Sequence, residues 1–330
     1  MHRPHLHATL EAGTLTTGGH GAPLGQWALD ASGATPRLAW RAGPHDAAHL
    51  LAALDAALME HPAVLLDHAA PDELLEAGAA RPTPDGLLVL RECFWQFAPR
   101  WHGRTAVPWT QRLVMSQSRR HPERPPKPEG VVYRRHIPWL GGVLSLRAID
   151  LEPDLPAFNR WMNDPFVSRF WDEAGDMAAH RAYLQRLAAD PHTSTLAMCL
   201  DGKAFGYAEA YWVKEDRLAP FCEAGDYDRG WHVLVGEPSC RGRAFASAWL
   251  PSLAHHLFLE DVRTQRIFVE PRADNARMLR NLGMNGYALL KTFDFPHKRA
   301  MLSMLLRERF FGEALWMPRH NQENPCKSTT

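Results

Sequence analysis

The chain of 330 residues is longer than one typical domain, and its 45% hydrophobic content provides ample material for buried cores. Lys plus Arg and Asp plus Glu each total 37, which leaves no overall charge for binding nucleic acid or an acidic membrane surface. The start lacks the apolar core of a signal peptide, and no run approaches the about 20 apolar residues of a membrane span, so we expect a cytoplasmic protein.

The first 115 residues predict a small α+β domain. An apolar helical pattern extends over residues 45–66, and a strand-like run follows at residues 87–93. Residues 116–135 are rich in Pro and charge and have little to bury, which predicts an exposed linker.

Beyond the linker, residues 136–315 predict a second domain, and residues 316–330 predict a flexible tail. The order of its elements is strand, helices, hairpin, strand, helix, strand, helix and two closing strands. The helical pattern at residues 156–171 is interrupted at Asp164–Pro165, and Asp201–Gly202 marks the hairpin. Such an order predicts an α/β fold with a mixed sheet.

The segment after the predicted strand GWHVLVG indicates a phosphate site. Residues 241–246 read RGRAFA, a turn of small residues that opens a predicted helix. Free backbone N–H groups and the positive end of the helix dipole meet at such a turn, and small side chains let a pyrophosphate approach them. A plain strand-to-helix turn with a solvated arginine on each side is the alternative.

The sequence predicts no metal site. Its five cysteines lack paired short spacings, and its 18 histidines form neither an HExxH motif nor a Cys/His cluster. The cysteines are expected to serve as small buried hydrophobic residues.

Five segments, taken in order, resemble the siderophore-biosynthesis branch of the GNAT acetyltransferases. They are FNRWMNDPFVSRFW, GYAEAYWVKEDRLAP, RGWHVLVGEPSCRGRAFASAWL, DVRTQRIFVEPRADNARMLRNLGMNGY and FDFPHKRAML. The resemblance covers roughly residues 141–306. It implies the GNAT acyl-CoA N-acyltransferase fold for this part and, for the N-terminal domain, a degenerate GNAT-like half such as the longer members carry.

The resemblance also implies an activity. An acyl group would pass from acetyl-CoA, or another acyl-CoA, to the nitrogen of an N-hydroxylated amine, most simply N6-hydroxylysine, and give a hydroxamate. The implied partners are this small acceptor and a siderophore synthetase or N-hydroxylase of the same pathway. Two other interpretations remain: an acetyltransferase for an ordinary amine, such as an antibiotic or a protein N-terminus, and a non-catalytic acyl-CoA-binding module.

For CoA, the resemblance implies contacts from the RGRAFA loop and its surroundings. Arg241 and Arg243 would offer charged hydrogen bonds to the pyrophosphate, and a backbone N–H near Leu234 or Val235 would meet the oxyanion. Alanines stand at two loop positions where glycines are frequent in the family. The implied CoA-binding residues are Leu234, Val235, Arg241, Gly242, Arg243, Ala244, Phe245, Ala246 and Asn275.

For catalysis, His232 stands at the position of the family's histidine. A pKa near neutrality would suit it as the general base for the attacking nitrogen, and a histidine packed in a core strand is the alternative. Asp274 is the second catalytic candidate, to orient His232 or to bind the hydroxylamine oxygen. The family's acid often lies two residues earlier, at Arg272, and Asp274 is also explained as a helix cap.

For the acceptor, the resemblance implies an aromatic wall with one acid, which suits a long apolar spacer ending in a cationic amine. Core packing is the alternative for any single aromatic, whereas an acid such as Glu209 is costly to bury without a partner. Lys298 and Arg299 are expected at the CoA 3′-phosphate, at a substrate carboxylate, or in a solvated hairpin. The implied acceptor residues are Trp161, Asn163, Phe170, Trp171, Tyr207, Glu209 and Tyr211.

Overall fold

A computed structural model describes residues 5–19, 24–67, 70–102, 109–116 and 118–318. The chain divides into two compact units, one comprising Met1–Ala106 and Tyr133–His136 and the other Val107–Val132 and Ile137–Thr330. Among the described helices, none combines the length and the apolar character needed to cross a membrane.

The first unit is a seven-stranded sheet with one long helix. Its strands are β1 (His7–Glu11), β2 (Thr14–Gly18), β3 (Gly25–Asp30), β4 (Arg37–Ala42), β5 (Ala63–Leu66), β6 (Ala80–Thr83) and β7 (Gly86–Leu90), and its helices are α1 (Ala47–Glu60), α2 (Asp72–Glu76) and α3 (Arg91–Phe94). The strand order is β1-β2-β3-β4-β5-β7-β6, and of these seven strands the sequence patterns predicted only β7.

The helical pattern over residues 45–66 is two elements rather than one. Helix α1 begins after Asp46, whose side chain accepts the N–H of His49, and it ends at Glu60. Pro62 then blocks continuation of the helix because it lacks the N–H that a helix needs, and the remaining apolar residues form β5.

The second unit holds the larger set of elements. Its strands are β8 (Leu113–Ser116), β9 (Arg119–Pro122), β11 (Gly142–Ala148), β12 (Thr193–Leu200), β13 (Lys203–Trp212), β14 (Arg229–Val235), β15 (Arg266–Val269), β16 (Ala288–Phe295) and β17 (Lys298–Leu306). Strand β10 (Val131–Ile137) has residues assigned to both units. Its helices are α4 (Leu151–Met162), α5 (Pro165–Trp171), α6 (Met177–Ala189), α7 (Arg243–Glu260), α8 (Ala276–Met284) and α9 (Arg307–Gly312).

The two units repeat one topology. From β11 onward the second sheet runs β11-β12-β13-β14-β15-β17-β16, which matches the first sheet strand for strand. In each sheet the fourth and fifth strands of this series are parallel, over only two residue pairs among those described. A long helix connects these two strands in both units, α1 in the first and α7 in the second. The first unit is therefore a second half of the same fold, as the resemblance implied.

Two local predictions for the second unit are confirmed. Asp201 and Gly202 both have positive φ, 47° and 78°, in the turn between β12 and β13. Asp164 caps α5 by accepting the backbone N–H of Phe166, and Pro165 occupies the first helical position, which separates α5 from α4.

The Pro-rich segment predicted as an exposed linker instead packs on the second unit. Arg124 is buried and donates from Nε and Nη2 to the Glu215 carboxylate, at 2.5 and 2.8 Å, with its guanidinium 4.1 Å from the Trp212 ring centre. Lys127 bonds to carbonyl oxygens at the end of α6. Composition indicated exposure, but Arg124 of this segment finds a buried partner that lies 91 residues away in the sequence.

The predicted tail begins later than expected. Trp316 is fully buried, stacks on His255 and packs at a tilt against Phe310. Residues 319–330 of the predicted tail lie outside the described residues.

Helices α4, α5 and α6 are held on the sheet by one buried cluster. Phe158 of α4 packs edge-on against Tyr207 of β13, with ring centres 4.9 Å apart, and Leu234 of β14 belongs to the same cluster. Trp171 and Tyr183 pack against the rim of this cluster. This packing places α5 and α6 beside the part of β14 that is no longer paired with β15.

Candidate active site

The central feature of the second unit is a gap between its parallel strands. The β14–β15 pairing is limited to Arg229 with Ile267 and Gly230 with Phe268, although β14 continues to Val235. On its other side β14 stays paired with β13, where His232 lies directly opposite Glu209. His232 therefore stands on the free edge of the gap.

His232 is held between two carboxylates. Its Nδ1 lies 3.0 Å from Oε2 of Glu209, and its Nε2 lies 2.7 Å from Oε1 of Glu270, the residue that follows β15. All three residues line one cavity, but the carboxylate side chains are only 7% and 0% exposed, whereas the imidazole is 22% exposed. We call His232, Glu209 and Glu270 the triad.

Hydroxyl groups complete the triad's hydrogen bonding. Tyr183 and Tyr207 donate to Oε1 of Glu209 at 2.6 and 3.0 Å, and Tyr211 donates to Oε2 of Glu270 at 2.8 Å. Tyr207, Glu209 and Tyr211 alternate along β13, so that all three side chains lie on one face of the sheet. Lys298 donates to the backbone oxygen of Glu270 at 2.8 Å, and its Nζ lies 3.5 Å from Oε1 of that residue.

These contacts set the ionisation of the triad. Burial alone would lower the pKa of His232, but the charge of Glu270 and the hydrogen bonds with both carboxylates outweigh it and raise the pKa to about 10. Burial would also raise the pKa values of Glu270 and Glu209, but the His232 charge and its hydrogen bonds lower both. Burial and the charge of Glu270 raise the pKa of Tyr211 well above its usual value. At neutral pH the triad is one imidazolium between two carboxylates.

The expectation of a histidine with near-neutral pKa is therefore wrong. A lone histidine on a strand titrates near pH 6.5, but two buried carboxylates stabilise its protonated form. With both ring nitrogens bonded to acids, His232 has no lone pair to offer in this arrangement.

The orienting acid is Glu270 rather than Asp274. The Asp274 side chain is 57% exposed and accepts from the Arg272 guanidinium at 3.1 Å. It does not cap α8 either, because Asn275 is the N-cap and accepts the N–H of Met278. The signal missed was the acid directly after the apolar run IFV: carboxyl ends of neighbouring parallel strands meet at one edge, which places Glu270 beside β14.

Glu209 has a different role from the one predicted. It was expected to bind a cationic amine of the acceptor, but both of its oxygens are used by His232, Tyr183 and Tyr207. The partner that makes burial of the Glu209 carboxylate possible is His232, which lies directly opposite it in β14.

Two cavities meet at the gap. The first, of about 550 Å³, contains the triad, and we call it the acceptor cavity. The second, of about 520 Å³, reaches the start of α7, and we call it the donor groove. Both are lined by Phe170, Trp171, Val233, Asn275 and Met278, which form their junction. The Nε1 of Trp171 bonds to the Val233 oxygen at 3.3 Å and fixes this wall.

The RGRAFA loop has the backbone of an anion site. Gly242 precedes α7 with φ of 135° and ψ of 179°, a conformation that is essentially restricted to glycine. Gly242 and Arg243, where α7 begins, line the donor groove, and the first N–H groups of a helix have no acceptor within it. Of the residues predicted to bind CoA, those that line the donor groove are Leu234, Val235, Arg241, Gly242, Arg243, Ala246 and Asn275, whereas Ala244 and Phe245 do not line it.

Arg241 supports the loop from within rather than standing free for a phosphate. Its Nε and Nη2 donate to the carbonyl oxygens of Val235 and Gly236 at 3.0 and 2.8 Å, and Nη2 lies 3.2 Å from Asp164. These bonds fold the chain before α7 into a fixed turn and tie it to the start of α5.

The predicted acceptor residues separate into two groups. Phe170, Trp171, Glu209 and Tyr211 line the acceptor cavity, whereas Trp161, Asn163 and Tyr207 line neither cavity. The Trp161 ring packs against the Gly236 backbone so closely that a Cβ there would lie 2.1 Å from it, and Asn163 bonds to Gly175. Trp161 and Asn163 thus position loops. The sequence motif contains several aromatic residues, and it could not show which of their rings line the cavity.

The described residues of the first unit carry no histidine–carboxylate pair at the equivalent strand positions. When the parallel pairs are aligned, with Arg37 at the position of Arg229, Trp40 occupies the place of His232. Trp40 lies opposite Trp27 in β3, where the second unit has Glu209. At the start of α1, the Asp46 carboxylate accepts the His49 N–H, and its negative charge disfavours binding of a phosphate there.

One further group of potential ligands lies elsewhere in the second unit. Ligand atoms of His121, His192 and Glu215 lie within 4.8 Å of one another. The Glu215 carboxylate is already bonded to the Arg124 guanidinium, so the group is part of the contact that holds the Pro-rich segment.

A mixed sheet whose central parallel strands separate beside a helix start is the arrangement of a GNAT acyltransferase, and the comparisons agree. A family model described as "Acetyltransferase (GNAT) domain" matches residues 150–295. An uncharacterized protein from Bacillus halodurans, of known crystal structure, superposes with a TM-score of 0.54 at 24% identity, covering 57% of this chain and 94% of that one, and so shows the fold.

Two relatives are closer in sequence. The chain is 40% identical over 228 residues to N(6)-hydroxylysine O-acetyltransferase of Escherichia coli, covering 68% of this chain and 72% of the relative. It is 43% identical over 195 residues to the N(5)-hydroxyornithine:cis-anhydromevalonyl coenzyme A-N(5)-transacylase of Beauveria bassiana, covering 58% of this chain and 43% of the relative. The chain belongs to the siderophore-biosynthesis branch of the GNAT acetyltransferases, and it is an acyltransferase.

Proposed function

We propose that this enzyme transfers the acyl group of an acyl-CoA, most simply acetyl-CoA, to the hydroxylamine nitrogen of an N-hydroxylated amine, most simply N6-hydroxylysine. The product is a hydroxamate for siderophore assembly. The observation that carries the proposal is the triad of His232 between two buried carboxylates, at the junction of a donor groove and an acceptor cavity. Both relatives are named for acyl transfer to a hydroxylated amino acid; the name of the Beauveria bassiana relative gives nitrogen as the acylated atom, and that of the Escherichia coli relative gives oxygen.

The donor groove suits CoA. The first N–H groups of α7 would hold the pyrophosphate, and Gly242 keeps the backbone open to it. The acyl-pantetheine would then lie along the free edge of β14, with its thioester near the N–H groups around Leu234 and Val235.

The acceptor cavity suits a charged molecule with an apolar middle. Trp171 and Tyr211 flank the His232 ring, with ring centres 6.4 and 4.8 Å from it. The remaining lining carries both acids and bases, among them Asp216 and Arg217. Such a lining fits the ammonium and carboxylate of an amino acid whose hydroxylamine reaches the triad.

The reaction balances with these groups alone. The nitrogen lone pair attacks the thioester carbonyl carbon, the C–S bond breaks, CoA leaves as the thiolate, and the nitrogen loses one proton. With two carboxylates and one imidazolium the triad carries a net charge of about −1, and its basic atoms are the carboxylate oxygens. Taking up the proton makes the triad neutral.

This charge state favours a hydroxylamine over an ordinary amine. An alkylammonium titrates near pH ~10.4 and would have to lose a proton before attacking, which carboxylates with lowered pKa values cannot accept from it. The oxygen on a hydroxylamine withdraws electrons, so that its nitrogen is neutral at pH 7 and its adduct is acidic. A carboxylate is then a sufficient base.

The test is a matched pair of acceptors with acetyl-CoA, N6-hydroxylysine against lysine, with release of free CoA and formation of the hydroxamate both measured. We expect rapid CoA release and an iron-binding hydroxamate with hydroxylysine and no reaction above background with lysine. Equal rates with lysine would support the ordinary-amine interpretation. Binding of CoA without turnover of hydroxylated lysine, ornithine, putrescine or cadaverine would support the non-catalytic interpretation.

A further inference from the structure

The exposed face of helix α8 forms one wall of the donor groove. Arg277, Arg280, Asn281 and Met284 all line the groove, and their spacing of three, four and seven residues places them on one side of the helix. Leu282, on the other side, is fully buried and anchors the helix. The two arginines are exposed, so their side chains are accessible to a ligand in the groove.

The charge along the donor groove has one sign. Its described lining contains Arg241, Arg243, Arg277 and Arg280 and no Asp or Glu. The neighbouring acceptor cavity instead mixes acids and bases. A groove with several guanidinium groups and no acid attracts a polyanion.

The two α8 arginines also differ from other arginines of the second unit. Arg147, Arg160 and Arg266, for example, each pair with a carboxylate at 2.5 to 2.7 Å. No carboxylate among the described residues lies within ion-pair distance of Arg277 or Arg280. We call Arg277 and Arg280 the stripe. Like charges one helical turn apart repel each other, so binding of an anion stabilises the stripe.

The stripe lies at a short distance from the pyrophosphate loop. Both sets of residues reach the Phe166 ring, with the Arg241 guanidinium 4.7 Å from its centre and the Arg277 guanidinium 5.3 Å from it. The loop and the stripe therefore lie beside the same aromatic ring. CoA carries a pyrophosphate and, one ribose away, a single phosphate monoester.

We propose that Arg277 and Arg280 bind the 3′-phosphate of CoA. The inference rests on the proposed acyl-CoA donor and adds a second phosphate site to it. Planar guanidinium groups suit a phosphate because each offers a fork of N–H donors. Lys298 and Arg299 were the residues expected from the sequence for this role, but Lys298 bonds to Glu270, Arg299 is 4.0 Å from Asp294, and neither lines the groove.

The consequence is selection among donors. CoA and dephospho-CoA differ only in the 3′-phosphate, so the stripe should distinguish them. A donor whose acyl-pantetheine lacks the nucleotide would lose contacts both at the α7 start and at the stripe.

The experiment measures the Kd of the intact protein for CoA and for dephospho-CoA by calorimetry. The variants are Arg277→Gln, Arg280→Gln and the double variant. Arg169→Gln is the control: it removes one exposed positive charge, whose guanidinium lies 5.4 Å from the Phe170 ring, at a position that lines neither cavity. Thermal unfolding verifies that each variant is folded.

For the unchanged protein we expect CoA to bind about tenfold or more tightly than dephospho-CoA, as for loss of a charged hydrogen-bonded group. In the double variant this ratio should fall to near one because CoA binding weakens while dephospho-CoA binding is unchanged, and Arg169→Gln should keep the ratio. Equal binding of the two ligands by the unchanged protein would overturn the phosphate site and leave the donor proposal standing. An unchanged ratio in the double variant would do the same. If the unchanged protein binds neither ligand, the proposed donor and this inference both fail.

Discussion

Substituting His232 by Gln would test the charge state of the triad. The substitution keeps a polar side chain but removes the imidazolium between the buried carboxylates of Glu209 and Glu270. Removing one partner of a buried ion pair leaves uncompensated charge, which costs about 3–5 kcal/mol. Because Lys298 stays 3.5 Å from Glu270 and the tyrosine hydrogen bonds persist, we expect about 3 kcal/mol at pH 7.

The pH dependence of this loss identifies its cause. The pKa of His232 rises from 6.5 to about 10 on folding. A raised pKa contributes stability that is complete below pH 6.5 and is lost as the pH rises through about 10. The difference between the free energies of unfolding of the original protein and the variant should therefore shrink between pH 7 and pH 10, by at most about 1.36 kcal/mol per pH unit.

The measurement is urea unfolding followed by fluorescence and circular dichroism at several pH values. His180→Gln is the control, since His180 is a buried histidine that bonds to the Asn159 side chain and the Glu173 backbone oxygen rather than to a carboxylate. The control should lose stability without this pH dependence. A His232→Gln difference that is constant from pH 7 to 10, or one that matches the control, would refute the imidazolium triad.

Three further predictions concern other parts of the second unit. Glu270→Gln should lower turnover by about 10² or more while Kd for CoA changes little, and near-normal turnover would remove Glu270 from catalysis. Gly242→Val should raise KM for acyl-CoA at least about tenfold, because valine is strained at a φ of 135° and its side chain stands beside the phosphate site; unchanged KM would exclude that site. Arg124→Ala should lower the free energy of unfolding by about 3 kcal/mol, since Glu215 is left buried, without changing KM; unchanged stability would restore the view of an exposed linker.

Local features were within reach of the sequence because they depend on neighbouring residues. The Asp201–Gly202 turn, the helix break at Asp164–Pro165 and the small-residue start of α7 follow from backbone preferences that act over four or five positions. The placement of Tyr207, Glu209 and Tyr211 on one face follows equally from the alternation of a strand. The family and its reaction class were recognisable for the same reason, since the motifs are contiguous.

The ionisation of the site was decided only by the tertiary structure. Glu209 lies in β13, His232 in β14 and Glu270 directly after β15, and Glu270 is 38 residues from its partner His232 in the sequence. A pKa depends on every charge and hydrogen bond within a few ångströms, whatever its sequence separation, so inspection of His232 and its neighbours suggested a near-neutral base. Two other predictions failed for the same reason. Arg241 was expected to bind phosphate but bonds to backbone carbonyl groups and Asp164, and the Pro-rich segment was expected to be exposed but bonds to Glu215. The sequence determined which chemical groups are present and which local elements carry them, while the tertiary structure determined which groups lie close enough to change each other's pKa.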